Sequence, residues 1–165
     1  MESPQITISR AEGSTLHEIL SLLDAVDLPP DGVAEHIESF LVARDGAGRL
    51  VGCIGIERHG KLGLLRSAAV MPELQRSGLG RKLTEAILED AARQGMGEVL
   101  LLTTTAKDFF ANKFGFVATD RGDYDERLAQ SPEWRLPRCS SAVLMKIDIP
   151  HSGAMISLAG KETRQ

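Results

Sequence analysis

The stretch Val70-Met71-Pro72-Glu73-Leu74-Gln75-Arg76-Ser77-Gly78-Leu79-Gly80-Arg81 joins an apolar run to an amphipathic one, and its reading decides the fold. On its N-terminal side, Leu62 to Val70 is largely apolar and bounded by turn residues, which predicts a buried strand. On its C-terminal side, Gly78 to Gln94 carries Leu79, Leu83, Ala86, Ile87 and Ala91 at helical spacing. That pattern predicts a long amphipathic helix, closed by Gly95 and Gly97. Beyond it, Val99-Leu100-Leu101-Leu102 reads as a second fully apolar strand. Strand 62–70, helix 78–94 and strand 99–104 therefore make one βαβ unit, a parallel pair joined by a right-handed crossover.

Working upstream, Leu50 to Glu57 follows the glycine-bearing turn Asp45-Gly46-Ala47-Gly48, and Arg58-His59-Gly60-Lys61 turns it into the strand at 62–70. With Phe40-Leu41-Val42-Ala43 ahead of that turn, the three strands predict an antiparallel meander. Residues 5–10 alternate and read as a first strand. Ser14 and Thr15 can cap a helix whose apolar stripe is Leu16, Ile19, Leu20, Leu22, Leu23 and Val26. Leu28-Pro29-Pro30-Asp31-Gly32 breaks it, and a short helix over about 31–38 carries Glu35 and His36. Downstream come a helix at about 107–113, a strand at Phe116 to Thr119, a polar segment at 120–138 and a strand at Ala142 to Ile149. The expected class is α/β in the broad sense: a mixed, mostly antiparallel sheet with helices on both faces and one core. Residues 1–150 are expected to form a single domain, with a mobile tail at 151–165.

Bulk properties narrow the function classes. Nineteen basic and twenty-three acidic residues are mixed along 165 positions without a basic stripe, which argues against nucleic acid as a partner. The N-terminus has neither a basic leader nor an apolar core, and no apolar run approaches the roughly 20 residues that span a bilayer. Cys53 and Cys139 are too few for a disulfide framework and lie outside any CxxC pair, as expected of reduced thiols in a cytoplasmic protein.

The chemistry is concentrated in the opening stretch. Amides at a helix start lack intrahelical partners and the helix dipole adds positive charge, so the loop suits a phosphate. Gly78 and Gly80 remove side chains that would hold the backbone away from it, and Arg76 and Arg81 add cations. A dinucleotide fingerprint fails because the third glycine position is Leu83, and a P-loop pattern is absent. What remains, Q-x-x-G-x-G after an Ala-Val strand end, resembles the acyl-CoA-binding motif of the GNAT superfamily of N-acetyltransferases, and Gly115-Phe116 is similar to that family's closing GF pair. The likeness in element order covers residues 5–149.

The resemblance implies a GNAT fold and direct transfer from acetyl-CoA, as co-substrate and without metal, to a small-molecule amine, by a family in which homodimers are common. Gln75, Arg76, Ser77, Gly78, Leu79, Gly80 and Arg81 then hold the pyrophosphate, largely through backbone amides. Ala69 and Val70 would pair with the pantetheine arm as with an added strand. Thr104 and Phe110 are further candidates at the cofactor, Phe110 against the arm or in the core. Glu35-His36, Gly63-Leu64-Leu65-Arg66-Ser67, Leu101 to Ala106 and Cys139-Ser140-Ser141-Ala142 resemble a branch associated with arsenic-resistance operons, which implies a role in detoxification.

The chain departs from the family at its acid and base. The usual tyrosine acid stands where this sequence has Ala111, leaving water, Thr104, Thr105 or Ser140 as proton donors, or Tyr124 or Cys139 folding over the site. The position of the histone-type members' glutamate base is Leu64 here. Replacement bases are Glu57 and His59, two residues apart and so on one side of their strand, and His36 on the short helix; each could equally be an ordinary exposed residue. Arg66 interrupts an apolar strand and must be paired. It either grips an anionic, amino-acid-like acceptor or forms an internal ion pair with Glu57 or Glu35. The rival to catalysis is a non-catalytic acyl-CoA or metabolite-binding module of the same fold.

Overall fold

The computed structural model describes residues 5–131, 134 and 142–150. The elements are β1 (Thr7–Arg10), α1 (Leu16–Ala25), β2 (Phe40–Arg44), β3 (Leu50–His59), β4 (Leu62–Val70), α2 (Leu79–Arg93), β5 (Glu98–Thr103), α3 (Lys107–Phe114), β6 (Val117–Ala118) and β7 (Val143–Asp148). They build one seven-stranded sheet in the order β1-β2-β3-β4-β5-β7-β6. Every neighbouring pair is antiparallel except β4 and β5, the parallel pair of the expected βαβ unit.

The two faces of the sheet are covered differently. One carries α2 and α3, whose Leu83, Ile87, Ala91, Phe110 and Phe114 pack on Ile54, Leu65, Val99 and Leu101 in the largest apolar cluster. On the opposite face, α1 lays Ile19, Leu22 and Leu23 over Phe40, Val42 and Cys53. Further along that face, Tyr124, Leu128 and Trp134 cover Leu62, Leu64, Leu100 and Leu144. Burial on both sides is why β4 and β5 read as continuous apolar runs rather than alternating ones.

Two regions differ from the sequence reading. The expected helix at 31–38 is a 3-10 segment, Ala34–Ser39, kinked at His36 (φ −116°, ψ 19°). Only Val33, just before it, is fully buried there, with Ile37 partly buried against the same cluster, and so small an apolar face cannot offset the cost of nucleating an α-helix. The polar segment at 120–138 instead supplies the buried Tyr124, Leu128 and Trp134. Its apolar residues are too widely spaced to show a periodicity.

The feature that positions the site lies in β4. Along the β3 pairing, Gly55 faces Arg66 and Cys53 faces Ala69, so β4 carries one residue more than β3 across that interval. Ser67 takes up the excess in the left-handed region, at φ +58°, a conformation that costs a non-glycine residue about 1 kcal/mol or more. The parallel pairing of β4 with β5 runs from Leu62 opposite Glu98 only to Leu65 opposite Leu101. Past the bulge the two strands part, while β4 continues against β3 to Val70 and β5 against β7 to Thr103.

Candidate functional site

A cleft of about 480 Å³ occupies the gap where β4 and β5 separate. Toward α2 its walls include Gly80, Leu83, Thr84 and Phe110; toward the α1 face they include Leu28, Pro29, Cys53, Arg66 and Ser67. It therefore passes between the strands and opens toward both coverings of the sheet. Ala69, Val70 and Thr104 form its sides, joining Arg66, Gly80 and Phe110 as site candidates that the fold brings to one cavity.

The loop from β4 into α2 is built by local bonds. The Gln75 side chain donates to the Val70 carbonyl (3.0 Å), which folds the loop back on the strand end. The Gln75 amide is thereby committed to shaping the loop. Arg76 (φ +72°) and Gly78 (φ +92°) both sit in left-handed conformations, and Ser77 Oγ accepts from the Leu79 amide (3.3 Å) at the start of α2. Leu79 buries its side chain in the core, so only its backbone is available to a ligand. A Cβ added at Gly80 would project into open space, so the bare backbone of the first turn of α2 faces an unobstructed approach. That suits an anion at the helix start and fits the phosphates of a CoA-type ligand. Arg81 reaches the Glu85 carboxylate (3.2 Å) along the helix, and Thr84 donates to the Gly80 carbonyl (2.8 Å).

The proposed bases are placed differently from the sequence reading. Glu57 is fully buried behind Arg66 and does not line the cleft. Its Oε2 accepts from Arg66 Nη1 (2.7 Å), and its Oε1 accepts from Ser131 Oγ (2.5 Å) and from His59 Nε2 (3.1 Å). Burial pushes its carboxyl up, but the hydrogen bonds from His59, Ser131 and Arg66, with the charge of Arg66, outweigh that and hold it below its ordinary value. An ionised carboxylate so paired is a poor proton acceptor. His36 also lies off the cleft, its ring centroid 6.2 Å from that of His59. Burial lowers its pKa.

Arg66 resolves in favour of the internal ion pair, with Glu57 and not Glu35 as partner. It also donates from Nη2 to the Pro29 carbonyl (3.3 Å) and from Nε to Ser67 Oγ (3.0 Å). The pair thus joins the α1 loop, through Pro29, to the segment beyond Leu128, through Ser131. These are the two coverings of one sheet face.

Tyr124 does not fold over the site: its hydroxyl donates to Glu98, at the end of β5 remote from the cleft. Leu64, at the base position, is core. Burial pushes the Cys53 thiol up to about 12, leaving it protonated and inert. Thr104 and Thr105 remain as exposed hydroxyls at the cleft, while Ser140 and Cys139 lie outside the described residues. Sequence reasoning missed Ser67, Thr84 and the Leu28-Pro29 wall. No periodicity marks a bulge, and a Pro-Pro pair announces only a break.

Residues 36–118, half of the chain, match the family model of the acetyltransferase (GNAT) domain. An uncharacterized N-acetyltransferase of Chlorobaculum tepidum, CT2212, is 30% identical over 99 residues, which is 59% of this chain and 62% of that protein. The match thus spans less than two thirds of that relative. Among solved structures, Rv2747 of Mycobacterium tuberculosis in complex with CoA and NLQ superposes with a TM-score of 0.73 at 23% identity, over 87% of this chain and 99% of that one. N-acetylglutamate synthase of Neisseria gonorrhoeae, complexed with coenzyme A and L-arginine, gives 0.73 at 20% identity, over 89% of this chain and 34% of that one. These two likenesses speak for the fold, whereas the family match covers the βαβ unit, its glycine loop and the GF pair together. The chain belongs to the GNAT acetyltransferase family.

Proposed function

We propose that this protein transfers the acetyl group of acetyl-CoA to the amine of a small, amino-acid-like molecule, by direct attack within a ternary complex. The observation that carries this reading is the cleft through the sheet where β4 and β5 part, open toward α2 on one side and toward the α1 loop on the other. The α2 side, with Gly80 and the amides of the first helical turn, suits the phosphates of the donor. Ala69 and Val70, on the stretch of β4 beyond its pairing with β5, suit the pantetheine arm as an added strand. The acceptor then enters from the side of Leu28, Pro29 and Arg66.

When bound, acetyl-CoA supplies an activated acyl carbon and a thiol leaving group. The chain's own residues orient the two substrates and shield them from water. Proximity of this kind is a large part of bimolecular catalysis. Of the named bases, Glu57 is committed to Arg66, and its contribution is to hold that guanidinium at the acceptor wall. The amino-acid-like character of the acceptor draws support from N-acetylglutamate synthase as a fold neighbour.

The sequence likeness to the arsenic-resistance-associated branch supports a detoxifying role in the cytoplasm. A host lacking this chain should then grow more poorly on arsenicals, and unchanged growth removes that role. Among the described residues no helix is long and apolar enough to cross a membrane.

A second reading, an acyl-CoA-binding module without turnover, draws on Ala111 at the usual acid position and on Tyr124 being held at Glu98. Incubation with acetyl-CoA and a panel of amino acids and simple amines, following free thiol, separates the two. Amine-dependent thiol release establishes the enzyme; tight acetyl-CoA binding with no release above hydrolysis leaves the binding module.

A further inference from the structure

Ser67 combines three properties that no other cleft residue shares. It lines the cavity at the point where β4 leaves β5, it is nearly buried, and it is held in a left-handed conformation at φ +58° that glycine would adopt more readily. Its carbonyl accepts from Cys53 Sγ (3.3 Å), which fixes the backbone at the bulge. Its Oγ accepts from Arg66 Nε (3.0 Å), and Arg66 is itself fixed by Glu57 (2.7 Å) and the Pro29 carbonyl (3.3 Å).

The direction of the Arg66 bond matters. A guanidinium has donors and no acceptor, so Ser67 must accept there, and its own hydroxyl hydrogen is directed elsewhere. A second lone pair on Oγ also remains. The hydroxyl of this cleft-lining residue therefore offers a donor and an acceptor beside each other. A serine kept in a strained backbone state at such a place points to the side chain as the reason.

We propose that Ser67 is the proton carrier of the transfer, an inference that rests on the acetyltransferase reading above. As the amine nitrogen bonds to the acyl carbon and the carbon–sulfur bond breaks, the sulfur keeps the bonding electron pair. Ser67 Oγ takes the surplus proton from the nitrogen and gives its own hydrogen to the sulfur. The products are the amide and the free thiol, and Ser67 ends as the hydroxyl it began as. No alkoxide is formed, because the two proton movements compensate each other. Arg66 is the positioning residue, orienting the hydroxyl through Nε. Ser67 thereby takes over proton delivery to the sulfur, the task of the tyrosine that Ala111 replaces.

The test uses the full chain and the variants Ser67→Gly and Ser67→Ala. Glycine suits the left-handed backbone, which offsets part of the loss of the Arg66 Nε bond, so Ser67→Gly should melt above Ser67→Ala and close to the wild type. Calorimetry should give both variants an acetyl-CoA Kd within about twofold of the wild type, and the amine KM should hold, while kcat falls about 100-fold, the size of a general acid–base contribution. A well-folded Ser67→Gly that binds acetyl-CoA normally and keeps kcat within about threefold overturns the proposal while leaving the enzyme intact. A wild-type protein that releases no thiol with any amine overturns the acetyltransferase reading, and this one with it.

Discussion

Gly78 and Gly80 answer to different constraints although only one residue separates them. Gly78 is needed for its backbone (φ +92°), whereas Gly80 keeps an ordinary helical conformation and leaves open space where a Cβ would stand. Gly78→Ala should therefore lower stability by about 1 kcal/mol, read from the urea midpoint. Gly80→Glu should unfold at nearly the wild-type midpoint yet lose acetyl-CoA binding by about 100-fold or more in calorimetry, because a like charge then meets the donor's phosphates. Wild-type affinity in Gly80→Glu would mean that the donor binds elsewhere. Glu57 makes the opposite case, a buried charge with a full set of partners. Glu57→Gln removes the carboxylate charge 2.7 Å from the buried Arg66 guanidinium, and breaking a buried pair in this way costs about 3 kcal/mol. Urea unfolding should show a lower midpoint with an unchanged m-value.

At the scale of elements, the parallel pair is useful because it is incomplete. Four registered residue pairs hold β4 to β5, and the bulge at Ser67 then turns β4 aside. The helix that follows is anchored at both ends. Gln75 ties its entry loop to β4, and Asp90, near its end, accepts from Nη2 and Nη1 of Arg10 on β1 (2.6 and 3.1 Å). Strand pairing sets a further limit at Gly55, which faces Phe40 across β2 and β3. A Cβ there would fall 2.4 Å from the Phe40 ring, so Gly55→Ala must displace a fully buried aromatic. The expected loss is about 1–3 kcal/mol, measured as a lower melting temperature, and a melting temperature at the wild-type value would show that the ring can yield.

For the whole molecule, the pH dependence of stability follows from its paired acids. Burial raises the carboxyls of Glu57 and Asp90, but their hydrogen-bonded partners win and hold both below their ordinary values. Groups of this kind contribute stability that is fully present above the unfolded carboxylate value, about 4, and that is lost as pH falls through the folded values. Urea midpoints should therefore stay level in this respect down to about pH 5 and fall below about pH 4. In Glu57→Gln the same fall should be shallower. Ligand linkage gives an independent check on the cleft: acetyl-CoA at about 100 times its Kd should stabilise the fold by about 2.7 kcal/mol and raise the melting temperature accordingly.

The amino-acid sequence by itself determined the βαβ unit, the meander before it and the glycine loop. Each of these rests on local periodicity or on backbone demands that neighbouring residues express. It also required Arg66 to be paired, with an anionic acceptor or with an internal carboxylate, since a charge within an apolar strand is rarely left alone. Only the tertiary structure decided that Glu57 is that partner and so no free base, that Tyr124 serves Glu98, and that the 120s segment is a wall of the core. Those outcomes depend on which distant segments meet across a sheet face, and no local pattern encodes such meetings. The same holds for Ser67: a bulge is a mismatch between two strands, visible only when both are paired, and it brings an ordinary strand serine into the lining of the cleft.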